Sequence, residues 1–259
     1  MTASADDLNA CAGLVQRGDP DRFLAAMAAP VAARRVLFPL YAMNVEVSRA
    51  PWVTQEAMIA EMRLQWWRDA LEEIAGAGPV RRHEVVTPLA EALTAEIARA
   101  LDEYIAVRSW DIYRDPFEDQ AHFDRYIDRS SGSLLWAAAR ALGDAEERVV
   151  RDFGFAMGLA NWLRAVPGLE ARGRIPLLDG RPEAVRQLAE RGLDHLSRAR
   201  AARGAVSAAA RPALLAGWQA GPILRQAQKE PARVAQGALE QSEARKRLTL
   251  MARAASGSW

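Results

Sequence analysis

The sequence predicts an all-α fold. Almost every segment repeats apolar residues at i, i+3 and i+4, which is the spacing of an amphipathic helix. Capping residues followed by proline mark helix starts at Asp19–Pro20 and Thr87–Pro88. Paired valines occur only at Val85–Val86 and Val149–Val150, so no run of β-branched residues favours a strand.

The first half of the chain contains four predicted helices. The first starts after the Asp19 cap and ends before Pro30, because proline cannot continue a helix. The third is capped by Thr54 and stops at Gly76 and Gly78. The fourth is predicted to contain one break. The predicted ranges are 20–29, 34–47, 54–76 and 87–113.

The second half contains five predicted helices. Gly143 separates the first two, and Pro167–Gly168 is expected to end the second. A loop follows at residues 173–182. The predicted ranges are 119–143, 144–166 and 183–202, followed by helices that start at Pro212 and Pro231. We therefore expect eight to ten helices in a single domain over residues 1–259, with residues 1–18 loosely ordered.

The composition is that of a globular protein. The 259 residues are 50% hydrophobic, and 34 basic residues nearly balance 33 acidic ones, which gives a net charge of +1. This balance supplies no reason to expect nucleic acid as a partner. One cysteine excludes a disulfide framework and a cysteine-based zinc site. With no signal peptide and no apolar run of about 18 residues, a soluble, cytoplasmic protein is expected.

Four segments carry more information than helical periodicity. Residues 158–177 contain Asn161, Arg164 and the pair Gly173–Arg174 at a specific spacing. The other segments are residues 34–46, 62–71 and 126–133. In this order and spacing they resemble the squalene/phytoene synthase family, over about residues 22–253. The resemblance implies an isoprenoid-synthase-type helical bundle around a central cavity.

The resemblance also implies where a catalytic site would lie. Family members that couple prenyl diphosphates use two Asp-x-x-x-Asp motifs on facing helices. Residues i and i+4 share one helical face, so both carboxylates of a motif can bind Mg²⁺. The metal ions then neutralise the diphosphate as the allylic carbon ionises.

This sequence departs from the family at those acidic positions. The corresponding residues are Ser48, Arg49 and Trp52 in the first motif, and Ala165, Gly168 and Leu169 in the second. None of them is acidic. Pro167 would also disturb the helix that presents the second motif. The sequence therefore predicts no catalytic residues, no metal site and no cofactor, with Mg²⁺ expected only if the protein is an enzyme after all.

Other acidic residues could in principle replace the missing ones. Glu46 and Glu170 lie near the two motifs, but one step along a helix turns a side chain by about 100°, away from the shared face. Two Asp-x-x-x-Asp pairs occur elsewhere, at Asp111/Asp115 and Asp124/Asp128. Interleaved arginines, at positions 114, 125 and 129, favour solvated ion pairs there rather than a metal site.

The substituted pattern resembles one group within the family. Residues 41–47, 62–69 and 163–167 are similar to the squalene/phytoene-synthase-like assembly factors of respiratory complex I. That resemblance implies a bacterial relative without catalysis, whose partners are complex I subunits or their assembly intermediates. It is compatible with a lipid or isoprenoid in the central cavity and with peripheral contact to the inner face of the membrane.

Five residues retain family-motif positions and are the candidate ligand-binding residues: Tyr41, Asn161, Arg164, Arg172 and Arg174. Two interpretations of the arginines stay open. They could pair with Glu46 or Glu170 for structural reasons, or they could form an anion or lipid-headgroup site.

Other reactive side chains give weaker signals. The three histidines, at positions 83, 122 and 195, lack the spacing of a shared metal site. Cys11 has no partner motif for nucleophilic catalysis. Trp66 and Trp67 point about 100° apart, so one can be buried while the other borders a groove.

We therefore expect a non-catalytic scaffolding or assembly protein. The alternatives are a working head-to-head prenyl diphosphate transferase with relocated acids, and a module that carries a lipid or isoprenoid.

Overall fold

The structure is a computed structural model that describes residues 3–259, apart from the side chain of Ala77. The predicted all-α class is confirmed: the described residues form fourteen α-helices and no β-strand. The helices are α1 Ala5–Gly18, α2 Pro20–Ala28, α3 Val31–Arg49, α4 Ala57–Glu72, α5 Val86–Ala92, α6 Ala95–Ala106, α7 Gln120–Ile127, α8 Ser133–Leu142, α9 Glu147–Glu170, α10 Pro182–Ala201, α11 Arg211–Leu214, α12 Ala220–Lys229, α13 Ala232–Ala235 and α14 Glu243–Ser256.

The helices outnumber the prediction because several predicted helices are interrupted. The break expected between residues 87 and 113 separates α5 from α6 at Leu93–Thr94, where Thr94 caps α6. The predicted helix over 119–143 contains a π-helical turn, Asp128–Gly132, between α7 and α8. A short 3-10 helix, Ala50–Trp52, follows α3, and another, Val107–Asp111, follows α6.

The N-terminal segment is helical rather than loosely ordered. Ser4 caps α1 in a capping box with Asp7, which satisfies two backbone donors at the helix start. Arg82 donates two hydrogen bonds to Asp7, and Cys11 and Val15 are fully buried. Capping and burial together hold α1 against the rest of the chain. Residues 1 and 2 of this expectation lie outside the described residues.

Helix α9 does not end at Pro167, contrary to the prediction from the sequence. The helix continues to Glu170, where the backbone N–H groups of Ala171 and Arg172 bond to Pro167 and Leu169 carbonyls. Proline removes one hydrogen bond from the helical ladder, but the surrounding packing holds the last turn in helical form.

Helices α3 and α9 form the centre of the molecule. In α9, Phe153, Leu159 and Leu163 are fully buried, and the helix packs against α8, α10 and α12. Each such side chain contributes roughly 1.5–3 kcal/mol of burial free energy. Among the described residues, no helix is long and apolar enough to cross a membrane.

Candidate functional site

A cavity of about 270 Å³ lies between the C-terminal half of α3 and the C-terminal half of α9. We call it the inner cavity. Helix α9 contributes Asn161, Ala165 and Leu169, which follow one another at i, i+4 and i+8 on a single face. Ser48 and Trp52 line it from the other side. Its remaining wall includes Asp19, Arg22, Asn44, Arg108, Asp111, Tyr126, Ser130 and Ser131.

The structure brings together the positions at which the family resemblance expects acids. Ser48, Trp52, Ala165 and Leu169 all line the inner cavity, although the two pairs are more than 110 residues apart in sequence. None of the four has a carboxylate. The Ser48 hydroxyl donates a hydrogen bond to the Val45 carbonyl oxygen, 3.1 Å away.

Two carboxylates do line the inner cavity, and arginines neutralise both. Asp19 caps α2 and accepts a hydrogen bond from Arg22 at 2.6 Å. Asp111 is 5% exposed and accepts hydrogen bonds from Arg108 at 3.2 Å and from the Tyr126 hydroxyl at 2.8 Å. Burial raises the pKa of Tyr126 far above its usual value, which keeps the phenol protonated as a donor.

Arg108 is a fixed positive charge in this wall. Although burial opposes ionisation, the neighbouring Tyr126, Tyr104 and Asp111 raise the pKa of its guanidinium. It also lies over the rings of Tyr104 and Tyr126, at 5.5 and 5.9 Å from their centroids. The Arg108 guanidinium thus contacts Tyr104, Tyr126 and Asp111. Because Asp111 is paired with this cation, its carboxylate is not free to bind a metal ion.

The aspartates of the motifs Asp111/Asp115 and Asp124/Asp128 do not form the predicted solvent-exposed ion pairs with arginines nearby in sequence. Asp111 is buried with Arg108 rather than exposed beside Arg114. Asp124 pairs with Arg191, and Asp128 lies 3.4 Å from Arg151. These partners come from helices α9 and α10, so tertiary packing selects them over the arginines nearby in sequence.

The residues of the inner cavity do not fit Mg²⁺. That ion requires several oxygen ligands in near-octahedral geometry. Across residues 3–259, no group of three or more histidine, cysteine, aspartate or glutamate side chains could hold a metal ion.

A second cavity, of about 450 Å³, lies beside the first, and we call it the outer cavity. Its lining includes Arg114, Arg172 and Arg174, with Glu56 as its one carboxylate and Pro51, Thr54, Gln55, Ala57, Ala60 and Ile112 completing the wall. Trp52 lines both cavities, so its indole lies between them. Arg172 and Arg174 each lie 5.1 Å from the centroid of that ring.

Arg174 is the most unusual side chain of the site. It is 7% exposed, and within the described part of the chain its Nε and Nη1 atoms have no hydrogen-bond partner. Its guanidinium lies between Trp52 and Trp110, and burial lowers its pKa. A buried cation with unused hydrogen-bond donors is costly in free energy.

The sequence model of the squalene/phytoene synthase family matches residues 15–177, which include α3 and all of α9. The chain belongs to this family.

Curated relatives of this squalene/phytoene synthase family member are named as assembly factors. "NADH dehydrogenase (ubiquinone) complex I, assembly factor 6 homolog" of Drosophila melanogaster is 28% identical over 177 residues, which cover 65% of this chain and 53% of that protein. Assembly factor 6 of Homo sapiens is 23% identical over 178 residues, covering 64% and 51%. The chain spans about half the length of the curated relatives it matches.

Solved structures of other family enzymes share the fold. A dehydrosqualene synthase in complex with a ligand superposes with a TM-score of 0.76, at 16% identity, over 97% of this chain and 96% of that one. Squalene synthase HpnC from Alicyclobacillus acidocaldarius gives a TM-score of 0.71, at 16% identity, over 88% and 95%. The predicted isoprenoid-synthase-type bundle is thereby confirmed.

The five candidate ligand residues of this family member are dispersed. Asn161 lines the inner cavity, whereas Arg172 and Arg174 line the outer one. Tyr41 is buried in the core, where its hydroxyl donates to the Ala213 carbonyl at 3.4 Å. Arg164 donates to Asp21 at 3.0 Å.

The expected structural pairing of the arginines with Glu46 or Glu170 is wrong for Arg164, whose partner is Asp21 on α2. Glu46 instead lies 3.7 Å from Arg49, three residues further along α3. Arg164 thus ties α9 to α2 at the edge of the inner cavity and contributes to structure.

Sequence reasoning missed the arginines at positions 22, 108 and 114. The available signals were the i, i+3 spacings of Asp19 with Arg22 and of Arg108 with Asp111. Arg114 has a φ of 35°, a conformation that side chains rarely adopt. No periodic pattern reveals such a position.

The weaker candidates lie outside both cavities. Burial raises the pKa of the Cys11 thiol to about 12, so the thiolate is absent near neutral pH. The Nδ1–H group of His195 donates a 2.6 Å hydrogen bond to the Asp152 carboxylate, and this bond joins α10 to α9. Trp67 is buried and Trp66 half-buried, and their rings meet edge to face at 4.9 Å.

Proposed function

We propose that this family member does not couple prenyl diphosphates and instead acts in the assembly of respiratory complex I. One observation carries the proposal. The four positions where the family resemblance expects metal-binding carboxylates meet in one cavity, and they are occupied by Ser48, Trp52, Ala165 and Leu169.

The chemistry explains why these replacements matter. Ionisation of an allylic diphosphate places negative charge on the leaving group, and bound Mg²⁺ supplies the compensating charge. Loss of one preorganised stabilising group costs about 3–4 kcal/mol of barrier lowering. Removal of every carboxylate that would hold the metal ions removes that compensation. Asp19 and Asp111 do not restore it, because each is hydrogen-bonded to an arginine.

The comparisons support an assembly role. The relatives from fly and human carry the name of a complex I assembly factor. The partners that this proposal implies are complex I subunits or their assembly intermediates, with the protein at the membrane surface. The same helical fold then provides a scaffold rather than a catalyst.

A genetic experiment tests the assembly role. Deletion of the gene in its own host should reduce assembled, active complex I, measured by native gel electrophoresis and NADH oxidation in membranes. Re-expression of the full chain should restore both. Unchanged complex I after deletion would overturn the proposal.

A biochemical experiment tests the absence of coupling. Purified protein is incubated with farnesyl diphosphate and Mg²⁺, and diphosphate release is followed, with a dehydrosqualene synthase as the positive control. We expect release at the rate of the protein-free blank. Turnover comparable to the positive control would establish the transferase alternative.

A lipid- or anion-binding role is the second candidate, and Arg174 favours it. Its side chain lines the outer cavity together with Arg114 and Arg172, and within the described residues its buried Nε and Nη1 atoms have no hydrogen-bond partner. Phosphate oxygens suit these donors because a guanidinium can bind them through two parallel hydrogen bonds. Native mass spectrometry of the purified protein should detect a co-purified phosphate-bearing lipid, and an Arg174→Met variant should lose it.

A further inference from the structure

A third cavity, of about 420 Å³, lies where the C-terminal ends of α10 and α14 meet, and we call it the basic cavity. Four arginines line it, together with residues 256–259. They belong to the last turn of α10, the 3-10 turn after it, the start of α11 and the last turn of α14: Arg200, Arg203, Arg211 and Arg253. Segments distant in sequence thus bring four guanidinium groups to one concave site.

The protein itself does not neutralise these arginines with acidic side chains. Within residues 3–259, no aspartate or glutamate lines the basic cavity, and none of its four arginines forms an ion pair with one. Arg200 donates through Nε to the Trp259 main-chain oxygen at 2.9 Å, and Arg211 donates to the Val206 carbonyl at 3.3 Å. The other two arginines donate no side-chain hydrogen bond within the described part of the chain. Most of the guanidinium donors are therefore not used by the fold.

The arginines repel one another, and a fifth arginine on α12 adds to this repulsion. Burial, together with the positive charges of Arg253 and Arg225, lowers the pKa of Arg200 to about 10. Burial and Arg225 also lower the pKa of Arg253. Among the described residues, no carboxylate raises the pKa of either group. Because a pKa of about 10 lies well above neutral pH, Arg200 stays charged there, and only a bound anion can relieve the repulsion.

Helix C-termini account for only part of this charge. The C-terminal end of a helix carries about half a negative charge, so α10 and α14 together offset roughly one of the five positive charges. A free carboxylate on Trp259 would offset one more. A surplus of roughly three to four positive charges is left, which is more than two helix ends can use.

We propose that the basic cavity binds a small, water-soluble molecule that bears two phosphate groups. A phosphate ester carries about −1.5 to −2 charge near neutral pH, so two such groups match the surplus of positive charge. Guanidinium groups also fit phosphate oxygens geometrically, because they bind them through two parallel hydrogen bonds. A single phosphate would leave about half of the surplus uncompensated.

The lining of the basic cavity favours a soluble ligand over a lipid. Among the described residues that line it, Trp259 is the one with a large apolar side chain. That side chain is 4% exposed, and its ring packs edge to face on Phe153 with the centroids 4.9 Å apart. The wall therefore offers no apolar surface to an acyl chain. The same packing fixes residues 256–259 against the core, so this part of the site is formed before a ligand arrives.

The basic cavity shares no lining residue with the inner or the outer cavity. The inference therefore goes beyond the proposed function and does not depend on it. Phosphate binding that persists while gene deletion leaves complex I intact would contradict the assembly role and leave the basic cavity as a ligand site.

Isothermal titration calorimetry of the purified full chain with pyrophosphate tests the proposal. The buffer contains EDTA, so that no metal ion contributes to binding. We expect one pyrophosphate per chain, bound at least roughly tenfold more tightly than inorganic phosphate, because two phosphate groups engage more guanidinium groups than one. The affinity should decrease in high salt. Equal affinities for the two anions, or no binding of pyrophosphate, would overturn the proposal.

Charge-matched variants locate the binding site. Arg203→Gln combined with Arg253→Gln should weaken pyrophosphate binding by roughly tenfold or more. The matched control is Arg125→Gln combined with Arg148→Gln, which removes two positive charges from exposed positions on α7 and α9. The control should bind as the wild type does. Equal loss in both double variants would indicate unspecific attraction, and loss in Arg172→Gln alone would assign the binding to the outer cavity; either result contradicts the proposal.

Thermal denaturation separates ligand binding from a structural role of the arginines. Without added anions, the variant with Arg203→Gln and Arg253→Gln should melt at or above the melting temperature of the wild type, because like charges are removed. Pyrophosphate should raise the melting temperature of the wild type and leave that of the variant unchanged. A variant that melts below the wild type and no longer binds would show that these arginines hold the fold, which contradicts the proposal.

Vesicle co-sedimentation distinguishes a soluble ligand from a lipid headgroup. We expect the same double variant and the wild type to bind equally, or not at all, to vesicles that contain phosphatidylglycerol. Vesicle binding by the wild type that the double variant loses and the matched control retains would assign the basic cavity to a lipid headgroup and overturn the proposal of a soluble ligand.

Discussion

Arg174 illustrates how a residue can be retained at a cost to stability. Its side chain is 7% exposed, and two of its nitrogens lack partners within the described residues. Replacement of a poorly satisfied buried ion by an apolar side chain of similar length is often stabilising. We therefore expect Arg174→Met to raise the free energy of unfolding by about 1 kcal/mol or more, measured by urea denaturation without added anions.

Arg108 provides the matched comparison for that prediction. Its side chain is 16% exposed, and its guanidinium donates hydrogen bonds to Asp111 and Tyr126. Arg108→Met leaves the buried Asp111 carboxylate without its cation, and such a loss costs about 3–5 kcal/mol. Opposite signs for the two variants are the diagnostic result. A similar loss in both would show that Arg174 is a structural residue and would weaken its assignment to an anion site.

His195 is a residue whose ionisation opposes folding. Burial lowers its pKa, although the hydrogen bond to Asp152 partly compensates. The unfolded chain therefore binds this proton more readily, and the stabilising contribution is present above the unfolded pKa of about 6.5 and lost as the pH falls through the folded pKa. Denaturation curves at pH 7.5 and pH 5 should show a smaller decrease in stability for His195→Gln than for the wild type. An equal decrease in both proteins would show that protonation of His195 does not contribute to the loss of stability at low pH.

At the scale of elements, α9 approaches the π-helical turn Asp128–Gly132 through its glycines. A Cβ atom at Gly154 would lie 2.7 Å from the Cα of Gly132, and the Ser131 hydroxyl donates to the Gly154 carbonyl at 2.8 Å. Backbone cannot yield as a side chain does. Gly154→Ala should therefore destabilise the protein by about 2 kcal/mol or more in urea denaturation.

Gly168 supplies the control within the same helix, because a Cβ atom there would meet nothing within 4 Å. Gly168→Ala should be neutral or stabilising by about 0.5–1 kcal/mol, as expected for alanine in place of glycine in a helix. Equal effects at the two positions would mean that the contact between α9 and the π turn does not limit stability. The same contact would then not determine the position of Gly158 and Ser131, which line the inner cavity.

The elements that sequence alone predicted share a local cause. The cap Asp19 and Pro182 set the starts of α2 and α10. The predicted caps Thr54 and Thr87 are wrong, because α4 begins after Glu56 and Thr87 lies inside α5. Two further errors share a tertiary cause. Residues 5–18 are ordered by Arg82, which is distant in sequence, and α9 continues past Pro167 because packing outweighs one lost hydrogen bond.

At the scale of the whole molecule, the inner cavity was more predictable than the outer one. The family resemblance indicated that positions 48, 52, 165 and 169 share a site, because in the family the two acidic motifs lie on facing helices. The outer cavity combines the turn after α3, the segment around Arg114 and the loop after α9. None of these segments has a periodic pattern. Only the folded chain reveals that Trp52 separates the two cavities.

The shared geometry of α3 and α9 leads to a prediction about metal binding. Ser48→Asp combined with Ala165→Asp would place one carboxylate on each side of the inner cavity, which already contains Asp19 and Asp111. Without metal, the added carboxylates repel one another and the existing carboxylates, so thermal denaturation in EDTA should show a melting temperature lower by about 2 °C or more. Millimolar Mg²⁺ should recover part of that loss, because the ion neutralises both carboxylates.

The wild type should not respond to Mg²⁺ or EDTA, and neither should Ala100→Asp, an exposed control on α6. A double variant that is insensitive to Mg²⁺ would show that positions 48 and 165 do not face a common metal site, and the absence of acids there would then no longer argue against catalysis.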